Sequence, residues 1–143
     1  MGRNECRRAA VLMIAEYVTR YRARNGKWAR VANISTDCAQ VFGRQISYGA
    51  SKAAMEAYTR SIALEVAPHG ITVTAVAPGP VHTGEPSYIT PEAEERLNRA
   101  IPLGRCGQPE DIANAITFFR SQQADWITGQ VMKVDGGHMT GRL

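Results

Sequence analysis

Cysteine is scarce in this chain and never falls in a pairing motif. Cys6, Cys38 and Cys106 are odd in number and widely spaced, so neither a disulfide framework nor a C-x-x-C zinc or redox site is expected. His69, His82 and His138 also lack ligand spacing and read as surface or loop residues. No metal is expected. Long hydrophobic runs are missing as well: the stretch from Ala9 stops at Glu16, too short to span a bilayer, and no small-residue cleavage site follows it. Cys6 stands where a myristoylation signal needs Ser or Thr. There is no internal repeat and no low-complexity linker. The 13 glycines never form a G-x-x-x-G-x-G or G-x-G-x-x-G turn opening a helix, so a pyrophosphate cradle is not encoded. "GRCG" and "DGG" read as ordinary turns.

What is present describes one soluble domain of 143 residues in a reducing, cytoplasmic setting, with 44% hydrophobic and 21% charged residues supporting a packed core. The net charge of +4 is concentrated near the start: residues 1–30 carry eight basic side chains against two acidic ones. Nucleic acid is one partner such a surplus can imply. With no interleaved aromatics and no DNA-binding motif, the arginines read instead as the solvated face of an amphipathic helix.

Hydrophobic periodicity organises the chain. A helix is expected from about Arg7 to Ala23, broken at Asn25-Gly26. "ARVANIS", Ala29 to Ser35, reads as a strand and the following "TDCAQVFGRQIS" as a loop. A second helix runs from about Tyr48 to Val66 and stops at Pro68 and Gly70. "ITVTAVA", Ile71 to Ala77, is β-branched and uncharged, as a buried parallel strand should be. Pro78-Gly79-Pro80 ends it. Thr90-Pro91 caps a short acidic helix, Pro109 opens another, and "QVMKV", Gln130 to Val134, is a last strand. The order αβαβααβ implies a parallel sheet joined by helical crossovers.

Tyr48 and Lys52 stand at i and i+4, on one face of the second helix. A free phenol titrates near ~10, and a neighbouring ammonium favours its ionised form. Such a pair suits general acid–base work at a carbonyl, with a hydroxyl such as Ser35 holding the substrate oxygen. A hydride partner is needed to make that chemistry useful.

Five segments occur in a telling order: "NIS" (33–35), "YGASK" (48–52), "ITVTAVAPGPVHTG" (71–84), "PLGRCGQPEDIA" (102–113) and "ITGQVMKVDGG" (127–137). This series closely resembles the C-terminal half of the short-chain dehydrogenase/reductases, especially the branch of 3-oxoacyl-carrier-protein reductases and glucose dehydrogenases. The resemblance implies a partial Rossmann-type α/β fold: the last three strands of a doubly wound parallel sheet with their helices, in a single, apparently truncated domain spanning 1–143. It implies an NAD(P)-dependent oxidoreductase acting on a small carbonyl/alcohol substrate. Tyr48 would be the acid/base, and Lys52 would tune it and hold the nicotinamide ribose. Pro78, Gly79 and Val81 would meet the carboxamide, with the Thr83 hydroxyl nearby. Ser35 lies the usual 13 residues before Tyr48, whereas an "NISS"-type strand ending favours Thr36; Ser35 is preferred. The family's catalytic asparagine falls near Cys6 and Asn4 and stays unassigned.

The resemblance further implies a substrate loop and lid over Glu85–Pro102, and a homo-oligomer packed through the two long helices. Neither nucleic acid nor membrane is expected as a partner. Without the glycine-rich turn, NAD or NADP should bind the chain alone only weakly. The alternative is an inactive remnant serving as a binding or oligomerisation module.

Overall fold

The computed structural model of the protein describes residues 3–39, 46–83 and 90–139, with side chains from Ala9 onward. Seven main elements follow the expected order: α1 (Arg3–Ala23), β1 (Ala29–Ile34), α2 (Ile46–Val66), β2 (Ile71–Pro78), α3 (Pro91–Ala100), α4 (Pro109–Arg120) and β3 (Val131–Val134). A 3-10 turn at Ala67–His69, carrying Pro68, closes α2. Thr90 caps α3 by accepting from the Ala93 N–H at 3.3 Å.

The sheet has the order β1-β2-β3, and both pairings are parallel. β2 is central, and Val73, Ala75, Val76 and Ala77 are wholly inaccessible to solvent. Its alternation feeds two cores. Ile71 and Val73 pack with Ala29, Ala63 and Val66 against α1 and α2. Val76 packs with Phe119, Ala124 and the apolar face of α4. Helices on both faces explain why this strand reads as a continuous apolar run instead of an alternating one. Each fully buried valine contributes roughly 1.5–3 kcal/mol relative to an exposed one.

β1 is hydrogen-bonded on one side only among the described residues. Ala29 N–H donates to Gly70 O and Ser35 N–H to Val76 O, so odd-numbered residues face β2 and Arg30, Ala32 and Ile34 direct their backbone groups to the other edge. On the helical layer, α1 and α2 pack against each other, yet Leu12, Met13, Tyr58 and Leu64 remain exposed.

Candidate active site

The carboxyl ends of parallel strands are where open α/β sheets hold their ligands. Backbone bonds stitch that edge together here: Ser35 N–H to Val76 O at 2.7 Å, Asp37 N–H to Pro78 O at 2.9 Å, and Gly79 N–H to Val134 O at 3.0 Å. The first turns of α2 meet the same edge. Lys52 Nζ donates to Ile34 O at 2.7 Å, one of the carbonyls β1 turns away from β2. The same ammonium lies 5.8 Å from the centre of the Tyr48 ring. Tyr48 is half-buried, and its own carbonyl accepts from the Ser51 hydroxyl at 2.8 Å. One helix face therefore brings the phenol and the cation to the end of β1.

Ser35 is buried, and its hydroxyl donates to Glu56 Oε1 at 2.7 Å. Glu56 is the residue that sequence reasoning missed. It is 5% exposed and continues the Tyr48–Lys52 spacing by another four residues, so a third polar position on one helical face was the available signal. Behind it, Asn33 Nδ2 donates to the buried Thr59 hydroxyl at 2.9 Å. Thr36, the competing hydroxyl, is half-buried and within 3.4 Å of Asp37 Oδ1.

The turn after β2 is held from two directions. A β-carbon on Gly79 would stand 2.7 Å from Asp135 Cα, so only glycine lets the turn lie this close to the end of β3. On the other side, Gly107 N–H donates to Pro80 O and His82 N–H to Gly107 O, each at 2.9 Å. That parallel bridge leaves the N–H and C=O of Val81 pointing away from Gly107. "GRCG" is thus the strut of this turn. Thr83 is exposed. His82 Nε2 reaches Glu94 Oε1 at 3.0 Å, linking the turn to α3.

Around the strut, Arg105 grips Asp111 with two bonds of 2.7 and 3.0 Å. That hydrogen bonding, with the Gln108 N–H, holds the Asp111 carboxyl down at about 2. Burial and the charge of Glu94 push the Cys106 thiol up, leaving it an inert core group. A cavity of about 240 Å³ borders the turn, lined by Pro80, Arg105, Asp111 and Asp135 among others; neither Tyr48 nor Lys52 lines it.

One expectation needs correction. His138 is not a surface or loop-exposed histidine: it is 5% exposed, and its Nδ1 lies 2.7 Å from Asp37 Oδ2. His69 and His82 are likewise half-buried rather than exposed. Asn4 and Cys6 lie in the first turns of α1, with side chains outside the described set. Of the expected lid, 84–89 lie outside the described residues, and the remainder is mostly α3.

Residues 6–139 match the protein family described as Enoyl-(Acyl carrier protein) reductase. An uncharacterized oxidoreductase of Bacillus subtilis, YjdA, is 38% identical over 136 residues, covering 94% of this chain and 53% of that protein. The 3-oxoacyl-[acyl-carrier-protein] reductase FabG of Rickettsia bellii is 45% identical over 113 residues, covering 78% and 46%. A crystal structure from Agrobacterium tumefaciens, provisionally named a 2-deoxy-d-gluconate 3-dehydrogenase and holding NADP, superposes with a TM-score of 0.84 at 31% identity, covering 92% of this chain and 55% of that one. The chain spans about half the length of the relatives it matches.

Proposed function

Because this chain belongs to the short-chain dehydrogenase/reductase family, we propose that it is the catalytic half of an NAD(P)-dependent oxidoreductase interconverting a small carbonyl compound and its alcohol. The observation that carries this reading is the Lys52 ammonium, held on Ile34 O at 2.7 Å and beside the Tyr48 ring at the sheet's carboxyl edge.

The described residues fit the nicotinamide end of such a cofactor. Val81 turns its backbone donor and acceptor away from the Gly107 strut, Gly79 and Pro78 keep the turn low against β3, and the Thr83 hydroxyl is exposed beside it. When bound, the nicotinamide supplies or accepts the hydride. Tyr48 Oη gives its proton to the carbonyl oxygen in reduction and takes it back in oxidation. The positive charge of Lys52 stabilises negative charge on the phenol oxygen and is available to a ribose hydroxyl. Ser35 is assigned to the substrate oxygen, with Glu56 fixing the rotamer of its hydroxyl; Thr36 is the neighbouring alternative. The pyrophosphate end has no counterpart: α3 and α4 open on Thr90-Pro91 and Gln108-Pro109, each occupied by its own cap.

The exposed Leu12, Met13 and Leu64 on the two packed helices support a homo-oligomer formed through α1 and α2. We place the protein in the cytoplasm, where Cys38 and Cys106, both free thiols, stay reduced. No helix among the described residues is long and apolar enough to cross a membrane.

The test is carbonyl reduction by the chain joined to the N-terminal segment of a relative. Tyr48→Phe keeps the ring but removes the transferable proton, and should lower turnover by at least ~10²-fold. A Tyr48→Phe enzyme retaining most of its kcat would refute the assignment.

A further inference from the structure

The end of β1 and the segment after β3 bring together three side chains that the candidate site does not use. Asp37 and His138 are 6% and 5% exposed, and Asp37 Oδ2 lies 2.7 Å from His138 Nδ1. Cys38 completes the group: carboxylate, thiol and imidazole each offer a donor atom, all within 4.8 Å of one another. A fourth soft atom stands alongside, the Met139 Sδ at 3.6 Å from Cys38 Sγ. Both arms are anchored through their backbones. Asp37 N–H donates to Pro78 O at 2.9 Å and His138 N–H to Asp135 O at 3.0 Å, while Met139 N–H donates to Asp135 Oδ2 at 3.1 Å.

We propose that Asp37, Cys38 and His138 form a zinc site that clamps the end of β1 to the segment following β3. The mixed donor set decides the metal. Calcium and magnesium take oxygen almost exclusively, whereas one thiolate, one imidazole and one carboxylate suit the borderline-soft Zn²⁺. Charge decides it too. One carboxylate and one thiolate balance a divalent ion, so the buried site becomes neutral overall, avoiding the cost of an unpaired buried charge. Zinc bonds of about 2.0–2.3 Å at tetrahedral angles separate ligand atoms by roughly 3.3–3.7 Å. Loading therefore opens the Asp37–His138 contact by about half an ångström and draws the Cys38 sulfur inward. His138 binds as neutral imidazole with its proton on Nε2, and Cys38 releases its thiol proton to solvent. No electron moves. The fourth position falls to water or to the Met139 thioether. Sequence spacing hid the set because its two arms are separated by 101 positions.

The reduced, metal-free chain should bind one Zn²⁺ with about micromolar affinity or better by calorimetry, and Co²⁺ in its place should show a thiolate charge-transfer absorption. Cys38→Ser should abolish that absorption, and Cys38→Ser or His138→Gln should each weaken Zn²⁺ binding by about 100-fold, within the range expected for a lost ligand. A His69→Ala/His82→Ala double variant should bind as the parent does. As a check needing no variant, stoichiometric Zn²⁺ should slow alkylation of Cys38, located by peptide mass. Alkylation of Cys38 at the same rate with and without Zn²⁺, or parental affinity in Cys38→Ser, overturns the proposal.

Discussion

Replacing Gly79 with alanine adds one carbon to a close contact between the turn after β2 and the end of β3. The new β-carbon would lie 2.7 Å from both Cα and Cβ of Asp135, whereas carbon atoms rest comfortably at about 3.5–4.0 Å. The two strand ends must part by roughly 0.8 Å. Gly79 is not among the positive-φ glycines, so alanine suffers no conformational penalty and the cost is steric, about 1–3 kcal/mol. For a chain of this length that lowers Tm by roughly 4–12 °C. If the turn holds the nicotinamide as proposed, a displacement near 1 Å should also cost about 10²-fold in turnover. Gly104 is the control. It sits at φ 75° with nothing within 4 Å of an added β-carbon, so Gly104→Ala should cost ~1–2 kcal/mol from backbone strain and leave turnover nearly intact. Thermal denaturation by circular dichroism measures the first quantity, and the joined enzyme measures the second. A Gly79→Ala protein melting within a degree of the parent would show that the turn does not lie on Asp135.

Calorimetry of the isolated chain with NADH or NADPH should give dissociation constants in the millimolar range or weaker, because no described helix opens on a free pyrophosphate cradle; micromolar binding would contradict this. Acid titration should fray the start of α4. Asp111 is depressed from 3.8 to about 2 by its bonds to Arg105 and Gln108, so its contribution is intact above about pH 4 and lost as pH falls through about 2, and Asp111→Asn should flatten that transition. Light scattering should report a dimer or larger assembly at ~10 µM or above, driven by the exposed apolar helix face and the one-sided edge of β1. A stable monomer would count against both drivers. Hydrogen exchange within β1 should then alternate, with the amides of Arg30, Ala32 and Ile34 exchanging faster than those of Val31, Asn33 and Ser35.

Local chemistry made the elements legible. β2 announces itself because burial on both faces removes every charge from Ile71–Ala77, and Thr90-Pro91 announces α3 because its cap and first-turn proline are consecutive in sequence. The Tyr48–Lys52 pair was legible for the same reason, since helical spacing turns four positions into one face. Glu56 was not, because an acid in a helix ordinarily faces solvent and only the buried Ser35 hydroxyl explains it. The strut from Gly107 to Val81 and the pairing of Asp37 with His138 depend on which turns the sheet brings side by side. No local pattern records that. Strand ends differed by a residue, Ser35 falling just past β1 and Pro78 just inside β2, because pairing with a neighbour rather than composition decides where a strand stops.

The placement of β2 at the centre also governs how this chain reaches its fold. Its first pairing joins Ala29 to Ile71, and its second joins Ala75 to Val131, so each spans forty or more residues and neither can close early. Loop-closure entropy must be overcome twice before the central strand is covered, which puts folding towards the slow end for a domain of this size. Meanwhile Ile71–Ala77 is a seven-residue segment, β-branched at five positions and without a charge or proline, the composition that self-associates when left uncovered. Slow synthesis at low temperature favours completion of both crossovers before neighbouring chains meet at that strand.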